Sequence, residues 1–490
     1  MKADAIKFEG KILVIGLGAV ARCTIPLLMK HIDAPPQSFT IMDFADVEAH
    51  ARPFKEAGAN FVKDRVTREN MGNLLSKYVG SGDIIIDLAW NIGCVDILQW
   101  CYDHNVRYMN TSVELWDPYE GAPTQPPTER TLYARQMSIR KMVASWKPKR
   151  GATAVLDHGA NPGLVSHFTK AALEDIAQRW LSEHNEHGER RQLIEEFYKK
   201  RMYNRLAHLL DVKVIHISER DTQISNKPKE MNEFVNTWSI EGFYEEGIAP
   251  AEMGWGTHER TLPPRAQMHL SGPMNQICIA NMGCRTWVRS WVPCGETVGM
   301  VIRHGEAFSI SENLTVREEG FPVYRPTVHY AYCPCDAAIA SMHELQMRHY
   351  NLQPKLRIMN DEITDGADEL GCLLMGHDYK SWWIGSKLDI HEARKLVPGQ
   401  NATTLQVACS VMSAALWMIK NPTQGVCVPD DLPHREILGT AKPYLGPFVS
   451  EANDWTPLKN WHSPFERYGT IRPPDEDVWQ FNTFLVRGLG

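Results

Sequence analysis

Few features of a secreted, membrane or nucleic-acid-binding protein appear in this chain. Residues 1–10 are polar and carry no leader-like apolar stretch. The longest apolar segment, residues 405–419, is broken by Gln406, Ser410 and Ser413. It is too short for a bilayer and reads as a core helix, so no membrane partner is expected. Positive charge is not in excess: 52 Lys and Arg stand against 59 Asp and Glu, a net charge of −7. That balance argues against a nucleic-acid partner. The 11 cysteines are odd in number and irregularly spaced, which excludes a disulfide framework and reads as reduced thiols in a cytoplasmic protein. There is no P-loop and no G-x-S-x-G elbow. Cys333-Pro-Cys335 with His329 fits no zinc spacing, and His343-Glu344 is not followed by the second histidine of a zincin helix, so no metal is expected. What remains, at 490 residues with 43% hydrophobic and 23% charged positions, is a globular chain of two to three compact units.

Strand and helix alternate from the start. Residues 11–15, Lys-Ile-Leu-Val-Ile, form a short continuous apolar run, as a strand buried on both faces requires. A glycine turn and a helix over residues 22–31 follow. Further strands are expected at 39–42, 60–62, 83–88 and 106–109, with helices at 68–78 and 95–104 between them. This order predicts an α/β fold: an N-terminal Rossmann-like, doubly wound parallel sheet over residues 1–160. Prolines 118, 123, 126 and 127 mark a loop leaving that sheet. A helix over 128–146 and a last strand over 151–156 precede the turn Gly159-Ala-Asn-Pro-Gly163. Residues 164–200 read as helical. From 212 to 319 short β-like runs alternate with Gly and Pro, which predicts an α+β substrate and dimerisation domain over 161–400 with a mainly antiparallel sheet. The helix at 403–420 is expected to pack back onto the first domain, and 421–490 to form an extended tail.

Gly16-x-Gly18-x-x-Ala21 is the strongest local signal. Gly16 permits the tight turn, Gly18 lets backbone approach a pyrophosphate, and a small residue at 21 permits close helix–strand packing. Amides of the helix start, from Ala19 and Val20, offer partial positive charge to phosphate. Asp43, ending the second strand, is placed to hold ribose hydroxyls and to repel a 2′-phosphate, which favours NAD over NADP. Ala89-Trp90-Asn91 and Asn110-Thr111-Ser112 follow strands four and five and are expected to line the crevice, joined by Asn161 and Pro162 of the later turn. A ligand-free glycine turn, with these asparagines merely capping turns, is the competing reading.

The fingerprint, Asp43, Asn110-Thr-Ser-Val-Glu-Leu-Trp116 and the 159–163 turn resemble the saccharopine-dehydrogenase-like group. Ile217-Ser-Glu-Arg-Asp-Thr-Gln223, Thr237-Trp-Ser-Ile-Glu-Gly-Phe-Tyr-Glu-Glu246 and Ile302-Arg-His-Gly-Glu306 are similar to the bacterial homospermidine synthases, and this second set is the more specific. The likeness runs from about residue 10 to 422. It implies an enzyme that joins two putrescine molecules, releases ammonia and recycles bound NAD, and it implies a homodimer. It also implies roles: Glu219 and His304 near the reacting amine, Trp238 and Glu246 shaping the polyamine tunnel, Glu114 and Asn161 in the substrate and nicotinamide region, and Asp368 as an acid of the substrate site. Two positions depart from the family pattern. Ala21 stands where glycine is found, and Asn91 where an acid is found, which removes one amine-binding charge.

The chemistry needs these residue types. A diamine carries two ammonium groups that require acceptors once desolvated, and Glu114, Glu219, Glu241, Glu245 and Glu246 offer them. Trp238 adds a cation–π face worth about 0.5–2 kcal/mol. An amine must shed a proton before hydride leaves, which calls for a base tuned near neutrality by burial. On the residues alone, Glu219 also reads as a solvated carboxylate paired with Arg220, Trp238 as core, and the 241–246 acids as a solvated face. A reductase of the saccharopine type, clamping α-carboxylates with Arg260, Arg265 or Arg303, is the alternative activity. A non-catalytic NAD sensor is the third reading, and it needs no acid–base pair.

Overall fold

The structure is a computed structural model that describes residues 5–486 except 122, 123, 149, 185–187 and 470, with the backbone alone at 468. Pro123 of the expected exit loop and residues 1–4 and 487–490 therefore lie outside the described residues. Seven parallel strands make the first sheet, in the order Val426–Cys427, Ala154–Val155, Arg107–Asn110, Ile84–Asp87, Ile12–Ile15, Phe39–Asp43, Asn60–Lys63. Its two central strands, Ile-Leu-Val-Ile and Ile-Ile-Ile-Asp, are buried at every position, each large side chain contributing about 1.5–3 kcal/mol. Strand order reverses between Ile12–Ile15 and Ile84–Asp87, and ligands of such sheets bind where that crevice opens.

A second sheet of ten strands runs Ala266–Met268, Gln276–Met282, Pro250–Gly254, Thr327–Cys333, Val214–Asp221, Ala367–Met375, Ser381–Asp389, Phe448–Asn453, with the hairpin Trp287–Val292 and Gly295–Met300 attached at Thr327–Cys333. It is mixed. All its pairings are antiparallel except Thr327–Cys333 on Val214–Asp221, in keeping with the mainly antiparallel sheet expected. That parallel pair matters, because side chains alternate faces along a strand. Glu219 and Asp221 thus share one face with Tyr330 and Tyr332 on one neighbour and with Asp368, opposite Asp221, on the other.

Three segments differ from expectation. The long helical stretch after the 159–163 turn is two helices, Leu164–Glu183 and Glu189–Lys200. The core helix spans Ala402–Lys420, capped by Asn401, whose side chain accepts from the Thr404 amide. It is long and apolar enough for a bilayer, yet it is buried within the protein and packs against the first helix, Ala19–His31. Residues expected as an extended tail instead hold the outermost strand of the first sheet, the helix His434–Ala441 and an edge strand of the second sheet. Two-residue strands such as Val426–Cys427 leave no periodicity for sequence to display.

Candidate active site

A crevice of about 590 Å³ lies at the carboxyl end of the first sheet, lined by Gly16, Gly18, Ala19, Val20, Asp43, Ala89, Trp90 and Asn91, with Glu241 on its far side. Gly16 has φ +92°, and a Cβ there would sit 2.9 Å from the Leu88 carbonyl oxygen. A Cβ on Gly18 would meet nothing within 4 Å, so its backbone faces open space where a phosphate fits. Asp43 is fixed at the end of its strand: Oδ2 accepts from the Leu17 amide at 2.6 Å and Oδ1 from the Ala45 amide at 2.8 Å.

The crevice opens into a chamber of about 170 Å³ between the two sheets. Glu114, Asn161, Glu219, Trp238, Glu246 and His304, scattered over 190 residues of sequence, all line it. Val20, Ala89, Trp90, Thr111 and Pro162 form the wall toward the crevice. Among the described residues lining the chamber there is no Lys and no Arg.

Glu219 is buried. Its Oε2 accepts from Asn161 Nδ2 at 2.8 Å and from the Tyr330 hydroxyl. Burial pushes its carboxyl up to about 7; the nearby Asp221 adds to the rise, while the hydrogen bonds from Tyr330 and Asn161 and the charge on His304 restrain it. Asp368 is fully buried behind it, within hydrogen-bonding reach of Glu219, and holds Thr403 Oγ1 at 2.5 Å. Burial first, then Glu219 and Asp221, drives its pKa well above the ordinary carboxylate value. Asp221 is satisfied by Thr237 Oγ1 at 2.7 Å and by the Gln223 amide at 2.8 Å. His304 Nε2 lies 3.1 Å from Glu246 Oε2, and Nδ1 lies 3.4 Å from Glu306 Oε1. Burial alone would lower the imidazole pKa, but the two carboxylates overcome it and hold the ring charged, well above its ordinary value. Glu114 is raised to about 7 by burial and by Glu245, and accepts from the Ser112 hydroxyl. Trp238 is anchored through Nε1 to Tyr332 Oη at 2.8 Å.

Several expectations need correction. Asn110 does not line the crevice. Its side chain is buried, holding the Asp157 amide at 2.9 Å through Oδ1 and facing Cys94 and Tyr108 through Nδ2, so it fixes the sheet floor. Asp368 faces Glu219 rather than the chamber. Glu245 turns away from the chamber and is neutralised by Arg135 at 2.6 Å and by Arg303. Arg303 is thereby spent on Glu245 and the Arg130 carbonyl, Arg260 on Asp477, and Arg265 is exposed. None of these three lines the chamber to clamp a carboxylate. Glu219 is not paired with Arg220, which bonds Asp336 instead. Sequence reasoning missed Tyr330, Thr403 and Glu306. Only Glu306 carried a signal, lying in the 302–306 motif.

Comparison with known proteins defines the class first. Residues 12–155 match the saccharopine dehydrogenase NADP binding domain and residues 159–452 the saccharopine dehydrogenase C-terminal domain. A homospermidine synthase of Blastochloris viridis is 40% identical, covering 98% of each chain, and one of Mesorhizobium japonicum is 38% identical over 98% of this chain and 97% of that one. The crystal structure of the Legionella pneumophila homospermidine synthase in complex with NAD superposes with a TM-score of 0.86 at 35% identity, covering 99% of both chains. The chain belongs to the homospermidine synthase family.

Proposed function

We propose that this protein condenses two molecules of putrescine into homospermidine with release of ammonia, using NAD that is reduced and reoxidised within one turnover. The observation that carries the reading is the chamber: three carboxylates and one imidazole, no guanidinium or ammonium among its described lining residues, and an opening onto a dinucleotide crevice. Such walls receive a dication and repel an α-carboxylate, which disfavours the saccharopine-type reaction.

The crevice residues Gly16, Gly18 and Asp43 would hold NAD, which when bound would supply a hydride acceptor and donor for the substrate carbon. Gly18 and the start of the Ala19–His31 helix receive its pyrophosphate, and Asp43 its adenosine ribose, where a fixed carboxylate would repel a 2′-phosphate. The NAD held by the Legionella relative supports that choice over NADP. Glu219, near neutrality, takes the proton that the first ammonium sheds, while Asn161 and Tyr330 hold its Oε2 in place. With that proton gone, loss of a hydride turns CH₂–NH₂ into the iminium CH=NH₂⁺, which the second amine can attack. The second amine adds to this carbon, and charged His304, held between Glu246 and Glu306, protonates the departing nitrogen as ammonia. Return of hydride and a proton to the new C=N gives the secondary amine, so the net reaction is not redox. Trp238 presents its ring to an ammonium, and Glu246, Glu241 and Glu114 receive the distal charges. Asn91, in the crevice wall, contributes a neutral contact.

Free thiols at all 11 cysteines support a reducing, cytoplasmic setting. Exposed Met268, Leu270 and Met274, beside the edge strand Ala266–Met268, support a homodimer contact there. The test of the activity is direct: purified protein with putrescine and NAD is expected to yield homospermidine and ammonia in equal amounts. Formation of a saccharopine-type product from an amino acid and a keto acid, with no homospermidine, would replace the reading.

A further inference from the structure

Directly behind the chamber, a buried chain of side chains reaches from the core to the turn that carries Asn161. His167 Nε2 and His158 Nε2 are 3.0 Å apart, His158 Nδ1 is 2.9 Å from Ser410 Oγ, and Ser410 Oγ is 2.5 Å from the Gly159 carbonyl oxygen. A hydroxyl has one proton, and here it goes to that carbonyl. His158 Nδ1 therefore carries hydrogen and donates to Ser410. His158 Nε2 is then the acceptor, and His167 donates to it from Nε2. His167 Nδ1, which has no hydrogen-bond partner, is the bare nitrogen. The reverse order would leave a buried donor at Nδ1 unpaired and set Ser410 Oγ against a carbonyl with no proton between them. Burial holds both rings neutral, His158 down at about 3, as the chain requires.

The recipient turn is tightly constrained. The Gly159 amide donates to the Pro162 carbonyl at 2.6 Å, and a Cβ on Gly163, at φ +132°, would fall 1.8 Å from the Gly159 oxygen. Asn161 lies two residues beyond the held carbonyl and donates to Glu219. Ser410 shares its helix with Thr403, which holds Asp368, and Val407, which lines the chamber. Positions 403, 407 and 410 fall on one helical face. We propose that His158 and Ser410 are positioning residues of the reaction, locking the 159–163 turn so that Asn161 keeps its hydrogen bond to Glu219.

The proposal rests on Glu219 acting as the base. The groups facing Glu219 are Asp221 on its own strand, Asp368 on one neighbouring strand, Tyr330 and Tyr332 on the other and His304 across the chamber. With Asn161 released, the carboxylate loses a donor and its pKa rises. In Ser410→Ala, the rising limb of the kcat–pH profile is expected to move up by about 0.5–1 pH unit and kcat at pH 7 to fall about two- to fivefold, while the half-saturating putrescine concentration stays within about twofold. His158→Asn retains a donor at the Nδ1 position and is expected to keep the wild-type limb. His158→Gln reaches His167 but not Ser410 and should behave like Ser410→Ala. Equal profiles for Asn and Gln, or an unmoved limb in a folded Ser410→Ala, would overturn the proposal. Histidine ¹⁵N NMR on the NAD-loaded wild type, expected to show neutral His158 protonated at Nδ1 and neutral His167 at Nε2, and a Ser410→Ala crystal structure, expected to show the Asn161–Glu219 bond opened, decide it without turnover. A wild type that makes no homospermidine would instead sink the reading of the activity.

Discussion

Replacing Glu219 by glutamine separates activity from stability and sends them in opposite directions. The native carboxyl titrates at about 7 against an ordinary value of 4.5, chiefly through burial. At 1.36 kcal/mol per unit, keeping it ionised in the fold costs roughly 3 kcal/mol. The sign follows from proton uptake. Between those two values the folded chain holds a proton that the unfolded chain has released, so stability falls as pH rises and the full cost is present only above 7. Glutamine is neutral and nearly isosteric, and its carbonyl still accepts from Asn161. Relief of about 3 kcal/mol at pH 8 in a chain of 490 residues corresponds to about 3 °C in Tm, shrinking below about 1 kcal/mol at pH 5. Turnover, deprived of its base, should drop by about 10²–10⁴. Calorimetry of wild type and variant at both pH values, each saturated with NAD and with homospermidine formation measured in parallel, checks both arms. A variant that melts lower at pH 8, or that turns over within a few fold of wild type, refutes the argument.

Two other outcomes follow from the site. Trp238→Ala should raise the half-saturating putrescine concentration by about 2–30-fold, as loss of a cation–π contact of about 0.5–2 kcal/mol implies, whereas Trp238→Phe keeps most of it; equal effects in steady-state kinetics would assign the ring to packing. Asp43→Ala should weaken NAD and also free the Leu17 and Ala45 amides that the carboxylate now holds, seen as a higher Kd in calorimetry; an unchanged Kd would remove Asp43 from the ribose.

Much of the nucleotide half is legible in the sequence, because parallel strands covered on both faces read as near-continuous apolar runs, and Ile12–Ile15 and residues 84–86 are such runs. Glu219, Trp238, Glu246 and His304 stand out only through motif resemblance; residue by residue each has a bland reading as good as the functional one. What stays hidden is pairing across distance. Glu245 sits in an acidic run, and nothing local reveals that Arg135, 110 positions earlier, and Arg303 neutralise it. Tyr330 becomes a partner of Glu219 through the one parallel pairing of a mainly antiparallel sheet, which no local pattern marks. Asn110 was misassigned for the converse reason: its loop reaches the crevice, but its own side chain turns down into the floor.

The strand Val426–Cys427 has an engineering corollary. Because the polypeptide leaves the nucleotide half near residue 156 and returns to complete its rim some 270 positions later, that half is discontinuous along the gene. A chimaera that exchanges cofactor preference between relatives must graft two separate pieces, and one built from the first piece alone would carry a raw sheet edge beside Ala154–Val155.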